Sequence, residues 1–263
     1  DAVGNTSTCN ATITVTDSSP PLAVCQDITI QLDASGSAVI VGSDIDGGST
    51  DNGTIVSTIA GQTAFDCTHL GANTVPLTVT DDGGNASNCD ATVTVEDSIG
   101  PVAICQDITI QLDALGNATV VAADVDSGST DNCAIATLDV TQTNFDCTDL
   151  GANTVTLTVT DQSGNTSTCS SIVTVNDIEV PVITCPADIT VNNDLGICGA
   201  IVSYSTPIGT DNCSGVATTM TSGLADGAEF PAGITTITYK VEDVSGNFAE
   251  CGFTVTVIDN EKP

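Results

Sequence analysis

From Asp97 the chain reads Asp-Ser-Ile-Gly-Pro-Val-Ala-Ile-Cys-Gln-Asp-Ile to Ile108. Ser-Thr-Asp-Asn follows at 129–132, Asp-Gln-Ser-Gly-Asn at 161–165, then Cys169 and a new aspartate, Asp177. Moved back by 80 positions, Pro101, Cys105, Asp131, Cys147, Asp161 and Cys169 fall on Pro21, Cys25, Asp51, Cys67, Asp81 and Cys89. Moved forward, the pattern meets Pro181, Cys185, Asp211, Asp243 and Cys251, with two residues inserted between Asp211 and Asp243. Self-similarity at a fixed period marks a tandem array of one structural unit. Residues 20–100, 101–180 and 181–263 are therefore read as three domains, the last running into the start of a next linker. Residues 1–19 repeat the end of a unit: Asp1 to Asn5 match Asp81 to Asn85, Cys9 matches Cys89 and Asp17 matches Asp97. They are either the terminal strand of a preceding repeat or a strand donated to a neighbouring subunit.

Within each unit the pattern is β. Val155, Leu157 and Val159 alternate with Thr154, Thr156, Thr158 and Thr160, and Ile108, Ile110 and Leu112 alternate in the same way. Such period-2 runs of Val, Ile and Thr give strands with one buried and one wet face. Turns rich in Gly, Asn, Asp and Ser separate them, as at Asp113-Ala-Leu-Gly116. No stretch carries helical periodicity. The expected fold is all-β, a tandem array of immunoglobulin-like or fibronectin-like β-sandwiches of about seven strands each. Aromatic residues make up only 3% of the chain and tryptophan is absent. The cores must be built of aliphatic residues, and small cores of that kind need an additional staple.

The chain holds 34 acidic residues against two lysines, Lys240 and Lys262, for a formal net charge of -32. That charge disfavours nucleic acid and anionic membrane surfaces as partners. Disorder would need low hydrophobicity as well, but 40% of the residues are hydrophobic and they alternate regularly. No apolar run approaches the length of a membrane span. No signal peptide is visible, and because the chain begins inside a repeat any such peptide would lie further upstream.

Twelve cysteines at recurring positions point to an oxidising, extracellular compartment, secreted or attached to the cell surface. A zinc site is disfavoured, because no Cys-x-x-Cys pair occurs and His69 is the single histidine. The first and last cysteines of each unit are expected to pair: Cys25 with Cys89, Cys105 with Cys169 and Cys185 with Cys251. Shorter loops are expected from Cys133 to Cys147 and from Cys198 to Cys213. Gly53 stands where repeat 2 has Cys133, which leaves Cys67 without an expected partner, and the expected mate of Cys9 would lie upstream of Asp1. Either these disulfides are missing or one of the two cysteines links subunits.

Three aspartates recur in register. Asp17, Asp97 and Asp177 lie in the linkers, Asp51, Asp131 and Asp211 in the Thr-Asp-Asn loops, and Asp81, Asp161 and Asp243 in the Asp-x-x-Gly-Asn turns. In a sandwich these three positions share one end of the domain. Taken singly, each motif is ordinary turn chemistry. Three carboxylates brought together without a base call for a cation, and Ca²⁺ fits best because it accepts six to eight oxygens. A cation at each junction would lock adjacent domains into a stiff array.

The third repeat reads Cys185-Pro-Ala-Asp-Ile, Thr210-Asp-Asn-Cys, Phe230-Pro-Ala-Gly and Cys251-Gly-Phe-Thr-Val-Thr-Val-Ile-Asp. It closely resembles the hyalin repeat (HYR) domain, an immunoglobulin-like extracellular module associated with adhesion. Repeats 1 and 2 look like a divergent form from secreted proteins of Bacteroidota-type bacteria. The resemblance implies fold and location more than biochemical role. No nucleophile with its base and no phosphate-binding loop is present, so the chain is not read as an enzyme.

The expected function is structural: a calcium-rigidified, disulfide-stapled fibre, filament or surface stalk that self-associates end to end or continues into further repeats. The alternative is an adhesin presenting a glycan- or protein-binding site, for which Phe230 and Tyr239 are the aromatic candidates. Sequons at Asn5, Asn10, Asn52, Asn85, Asn117, Asn165 and Asn212 leave glycosylation open. Asn52 and Asn212 are alternatively metal-loop residues.

Overall fold

The computed structural model describes residues 2–261. Asp1, matched above to Asp81, and Lys262 lie outside them. The chain forms two compact units. The first runs to Val102 and adds Thr130–Thr137 and Val159–Ser167; the second holds Ala103–Ser129, Leu138–Thr158 and the chain from Thr168 onward.

In the first unit, repeat 1 forms β1 (Ile28–Gln31), β2 (Ser37–Val39), β3 (Ile55–Ala60), β4 (Ala64–Asp66), β5 (Gly71–Asp81) and β6 (Ala86–Glu96). Strands β1, β6, β5 and β3 make one sheet in that order, and β2 pairs with β4. The first strand runs parallel to the last, with Ile28 opposite Val93, while β5 and β6 form a long antiparallel hairpin. Val75, Leu77, Val79, Ala91, Val93 and Val95 face inward and pack with Phe65, Leu32, Ile40 and Ile45. The alternating Val/Thr pattern thus supplies one apolar face, and the threonines take the other.

Repeat 2 follows with β7 (Ile108–Gln111), β8 (Asn117–Thr119), a single helical turn α1 (Ala122–Val125), β9 (Ile135–Val140), β10 (Asn144–Asp146), β11 (Gly151–Asp161) and β12 (Thr166–Asn176). Its sheet runs β7, β12, β11, β9, with β10 paired to β8. Repeat 3, in the second unit, forms β13 (Ile189–Asn192), β14 (Gly199–Ile201), β15 (Ala217–Ser222), β16 (Glu229–Pro231), β17 (Gly233–Glu242) and β18 (Phe248–Ile258). Its sheet runs β13, β18, β17, β15, with β14 paired to β16. The protein is all-β, with six strands per repeat and isolated bridges such as Leu22 to Thr50 completing the edge.

Cys25 pairs with Cys89, Cys105 with Cys169 and Cys185 with Cys251. The shorter loops expected from the sequence do not form. Cys133 bonds to Cys67 and Cys213 to Cys147, each pair 66 residues apart and each joining one repeat to the next. The reason is geometric. Cys67 and Cys133 belong to the first compact unit and Cys147 and Cys213 to the second, and these pairs hold their Cα atoms 5.4 and 5.5 Å apart, within the roughly 7 Å that a disulfide needs. Cys213 is taken by Cys147, so Cys198 is exposed and unpaired, as is Cys9.

Candidate metal centres

The inward register that builds each core also delivers the carboxylates. Along β5 the buried positions are Val75, Leu77, Val79 and then Asp81, which is 1% exposed. The same step leads from Val159 to Asp161 and from Val241 to Asp243. At the other end of the sheet, Ala91, Val93 and Val95 are followed in register by Asp97, and Val173 and Val175 by Asp177. Each repeat thus places one buried aspartate in its hairpin turn, and repeats 1 and 2 pass another, Asp97 and Asp177, to the repeat that follows.

Backbone bridges bring in the third carboxylate. Val102 and Thr130 exchange N–H···O bonds of 2.7 and 3.1 Å, and Val182 and Thr210 bonds of 2.7 and 2.9 Å. Leu22 and Thr50 do the same in repeat 1. Each bridge holds the loop aspartate that follows it beside the incoming linker. Three trios result: Asp17, Asp51 and Asp81 (site 1), Asp97, Asp131 and Asp161 (site 2), and Asp177, Asp211 and Asp243 (site 3). In each, one oxygen from every carboxylate lies within 4.8 Å of the others.

The turn Asp161-Gln-Ser-Gly-Asn165 shows how the site is fixed. Gly164 has φ +89°, a conformation that favours glycine. Asn165 donates its backbone N–H to Asp161 Oδ1 at 2.8 Å, and its Nδ2 to Asp161 Oδ2 at 2.8 Å and to the Asp97 carbonyl at 3.1 Å. Asn85 and Asn247 repeat this grip on Asp17 and Asp177. The bond from the Asn85 side chain holds the Asp81 carboxyl below its ordinary value, against the opposing effect of burial. These asparagines were seen in the motif, but their clamping of the linker was not. Asn165→Leu would leave the Asp97 carbonyl and an Asp161 oxygen without donors and is expected to destabilise the fold by about 2–4 kcal/mol. Urea denaturation in EDTA measures this free of any cation.

The sites also hold buried oxygens with no partner: Asp97 Oδ2, Asp131 Oδ1 and Asn132 Oδ1 at site 2, and Asp177 Oδ2 at site 3. Asp97 and Asp177 are 7% and 5% exposed. An unsatisfied buried acceptor costs about 1–3 kcal/mol, more when charged. The one lysine among the described residues, Lys240, is engaged with Glu242 Oε2 at 2.7 Å. Nothing in the described protein neutralises these trios, and the donor set is all oxygen, which suits a hard dication.

Site 1 departs from the other two. A Cβ placed on Gly53 would meet Asp82 Oδ1 at 2.9 Å, Asp51 Oδ2 at 3.2 Å and Asp17 Oδ2 at 3.3 Å. A fourth carboxylate, Asp82, therefore stands beside this trio, where repeats 2 and 3 carry Gln162 and Val244. Its position after Asp81 was readable, but the Cys-to-Gly change that makes room for it was read only for its effect on disulfide pairing.

Residues 176–257 match the model of the HYR domain. The chain carries HYR-like domains. Hyalin of the sea urchin Strongylocentrotus purpuratus is 33% identical over 274 residues, covering 98% of this chain and 22% of that protein. Hyalin of Lytechinus variegatus is 35% identical over 195 residues, covering 71% of this chain and 36% of that protein. These relatives are animal proteins, whereas repeats 1 and 2 were read as resembling a Bacteroidota-type form. The structure of human CDH23 EC21–23 is similar at a TM-score of 0.39 and 15% identity, over 90% of this chain and 100% of that one. The five disulfides of these HYR-like repeats belong to an oxidising compartment, and the protein is extracellular. Among the described residues no helix is long and apolar enough to cross a membrane.

Phe230 and Tyr239 are 0% and 5% exposed. They pack in the core of repeat 3, so neither offers a face to a ligand. His69 sits against Asp66 Oδ1 at 2.8 Å in a surface turn. The sequon asparagines Asn85 and Asn165 have their side-chain nitrogens committed to the linkers.

Proposed function

We propose that the chain is a segment of an extracellular structural array of adhesion type, in which calcium ions and disulfides together fix each HYR-like repeat to the next. The observation that carries this reading is the convergence of Asp97, Asp131 and Asp161 at site 2. Two of their oxygens are buried without a partner there. One of the three comes from the end of one repeat's sheet and the other two from loops of the repeat that follows. A cation held among them ties the two repeats together, and without such ties interfaces between small domains are mobile. Stiffened in this way, the repeats form a fibre or surface stalk, joined end to end with further copies or further repeats. Catalysis has no support in the geometry, because the same trio recurs in every repeat.

Calorimetric titration of the whole chain with Ca²⁺ tests the reading. Three bound ions per chain are expected, one per trio, with Mg²⁺ a poor competitor because it demands tighter octahedral geometry and keeps its waters. A chain that takes up no calcium at millimolar concentration would remove the ion from the account and leave the disulfides alone. Electron microscopy with and without calcium then asks whether long fibres depend on it.

A further inference from the structure

We infer that Asn132 is a fourth protein ligand of the cation at site 2, supplying its side-chain carbonyl oxygen. The inference rests on the calcium reading of that site and goes beyond the three aspartates.

The amide has only one orientation available. Its Nδ2 donates to Asp97 Oδ1 at 3.1 Å and to the carbonyl of Asp33, in the preceding repeat, at 3.2 Å. Turning the amide over would set its oxygen against two acceptors. Oδ1 is thereby fixed on the other side, buried and with no donor. Two further unpartnered buried oxygens, Asp97 Oδ2 and Asp131 Oδ1, belong to the same site. Oxygen atoms from three side chains, left without a hydrogen bond at one site, are what a cation with many oxygen ligands requires. A neutral carbonyl adds a ligand without adding charge to an already trianionic set.

Site 3 has the same residue in the same loop, but there its side-chain oxygen is engaged. Asn212 Nδ2 reaches Asp177 Oδ1 and the Asp113 carbonyl, yet its Oδ1 accepts the Cys213 N–H at 3.0 Å. The side-chain oxygen is engaged at site 3 and without a partner at site 2, so the two sites should differ in how they respond to loss of the asparagine.

The test uses the full chain with sites 1 and 3 silenced by Asp51→Asn and Asp211→Asn, titrated with Ca²⁺ alone. Asn132→Leu removes both the oxygen and the N–H donors. Asn132→Asp keeps an oxygen and loses the donors. The expected result is calcium binding weakened by about 10–100-fold in Asn132→Leu, the range typical of damage around a metal, and unchanged or tighter binding in Asn132→Asp. Equal weakening in both would show that Asn132 acts only by donating to Asp33 and Asp97, and would overturn the inference while leaving the calcium site standing. Should the leucine variant fail to fold, the aspartate variant decides alone: weakened binding overturns the inference and retained binding supports it. Absence of calcium uptake by the unaltered chain would take down both readings.

Discussion

Replacing Cys67 and Cys133 together by serine is expected to lower the stability of the chain by about 4 kcal/mol in EDTA, and Cys147→Ser/Cys213→Ser by the same amount. Each bond closes a loop of 66 residues, for which the chain-entropy estimate is about 4 kcal/mol. The in-repeat disulfides close loops of 64 to 66 residues, so on entropy alone all five should matter equally. What sets the cross-repeat pair apart is its neighbourhood. The Cys133 N–H donates to Asp131 Oδ2 at 2.9 Å, and the Cys213 N–H to Asp211 Oδ2 at 3.2 Å. Contact is close on the other side too: a Cβ on Gly36 would fall 2.6 Å from the Asn132 carbonyl and 2.8 Å from Cys67 Sγ. The disulfide therefore positions the loop that carries an aspartate of the trio. Its loss should weaken calcium at sites 2 and 3 and leave site 1 unchanged, since Gly53 gives site 1 no such bond. By reciprocity, calcium should make reduction of these two disulfides less favourable at equilibrium by the same coupling energy. Urea midpoints and calcium isotherms of the two double variants give both numbers. A loss below about 1 kcal/mol, well short of the entropic estimate, would mean the repeats are held together equally well without the bond.

The strands and the aspartate trios were legible in the sequence for one reason. Period-2 alternation at Val75, Leu77 and Val79 fixes which residues face inward, and continuing the count reaches Asp81. The 80-residue spacing then copies that result into each repeat. Disulfide connectivity was harder to read, because partners are chosen by which loops meet in space. Grouping cysteines inside a repeat produced loops from Cys133 to Cys147 and from Cys198 to Cys213, of unequal length and in unequal positions. The pairs that form, Cys67 to Cys133 and Cys147 to Cys213, share one separation of 66 residues. That equality was present in the sequence and would have identified them.

One further misreading had a different origin. Phe230 and Tyr239 were weighed as ligand-binding aromatics because so few exist, yet scarcity of large apolar residues is a reason for them to be buried. Phe65 and Phe145, at 2% exposure each, are inside for the same reason. The parallel pairing of β1 with β6 leaves no mark in either strand's own pattern. It depends on the chain leaving the linker at the opposite end of the sheet from where β6 stops.

Asp97→Asn should change the sign of its effect when calcium is added. Asp97 Oδ1 accepts the Ile99 N–H at 3.1 Å and Asn132 Nδ2 at 3.1 Å, bonds an asparagine oxygen would keep. Oδ2 is buried without a partner among carboxylates, and an amide NH₂ there can donate to Asp131 or Asp161 instead of repelling them. In EDTA the variant is therefore expected to be as stable as the parent or more so. With calcium present the parent gains about 2.7 kcal/mol per site at a free concentration one hundred times Kd, and about 8 kcal/mol over three sites; the variant should lose the share of site 2. For a chain of this size 1 kcal/mol corresponds to roughly 2–4 °C, so chelation alone should lower the parent's melting temperature by on the order of 10 °C or more. Scanning calorimetry of both proteins in EDTA and in calcium yields all four values. A variant destabilised equally in both conditions would mean that Asp97 serves the fold directly through its hydrogen bonds. In that case the ion would not be what binds its repeat to the next.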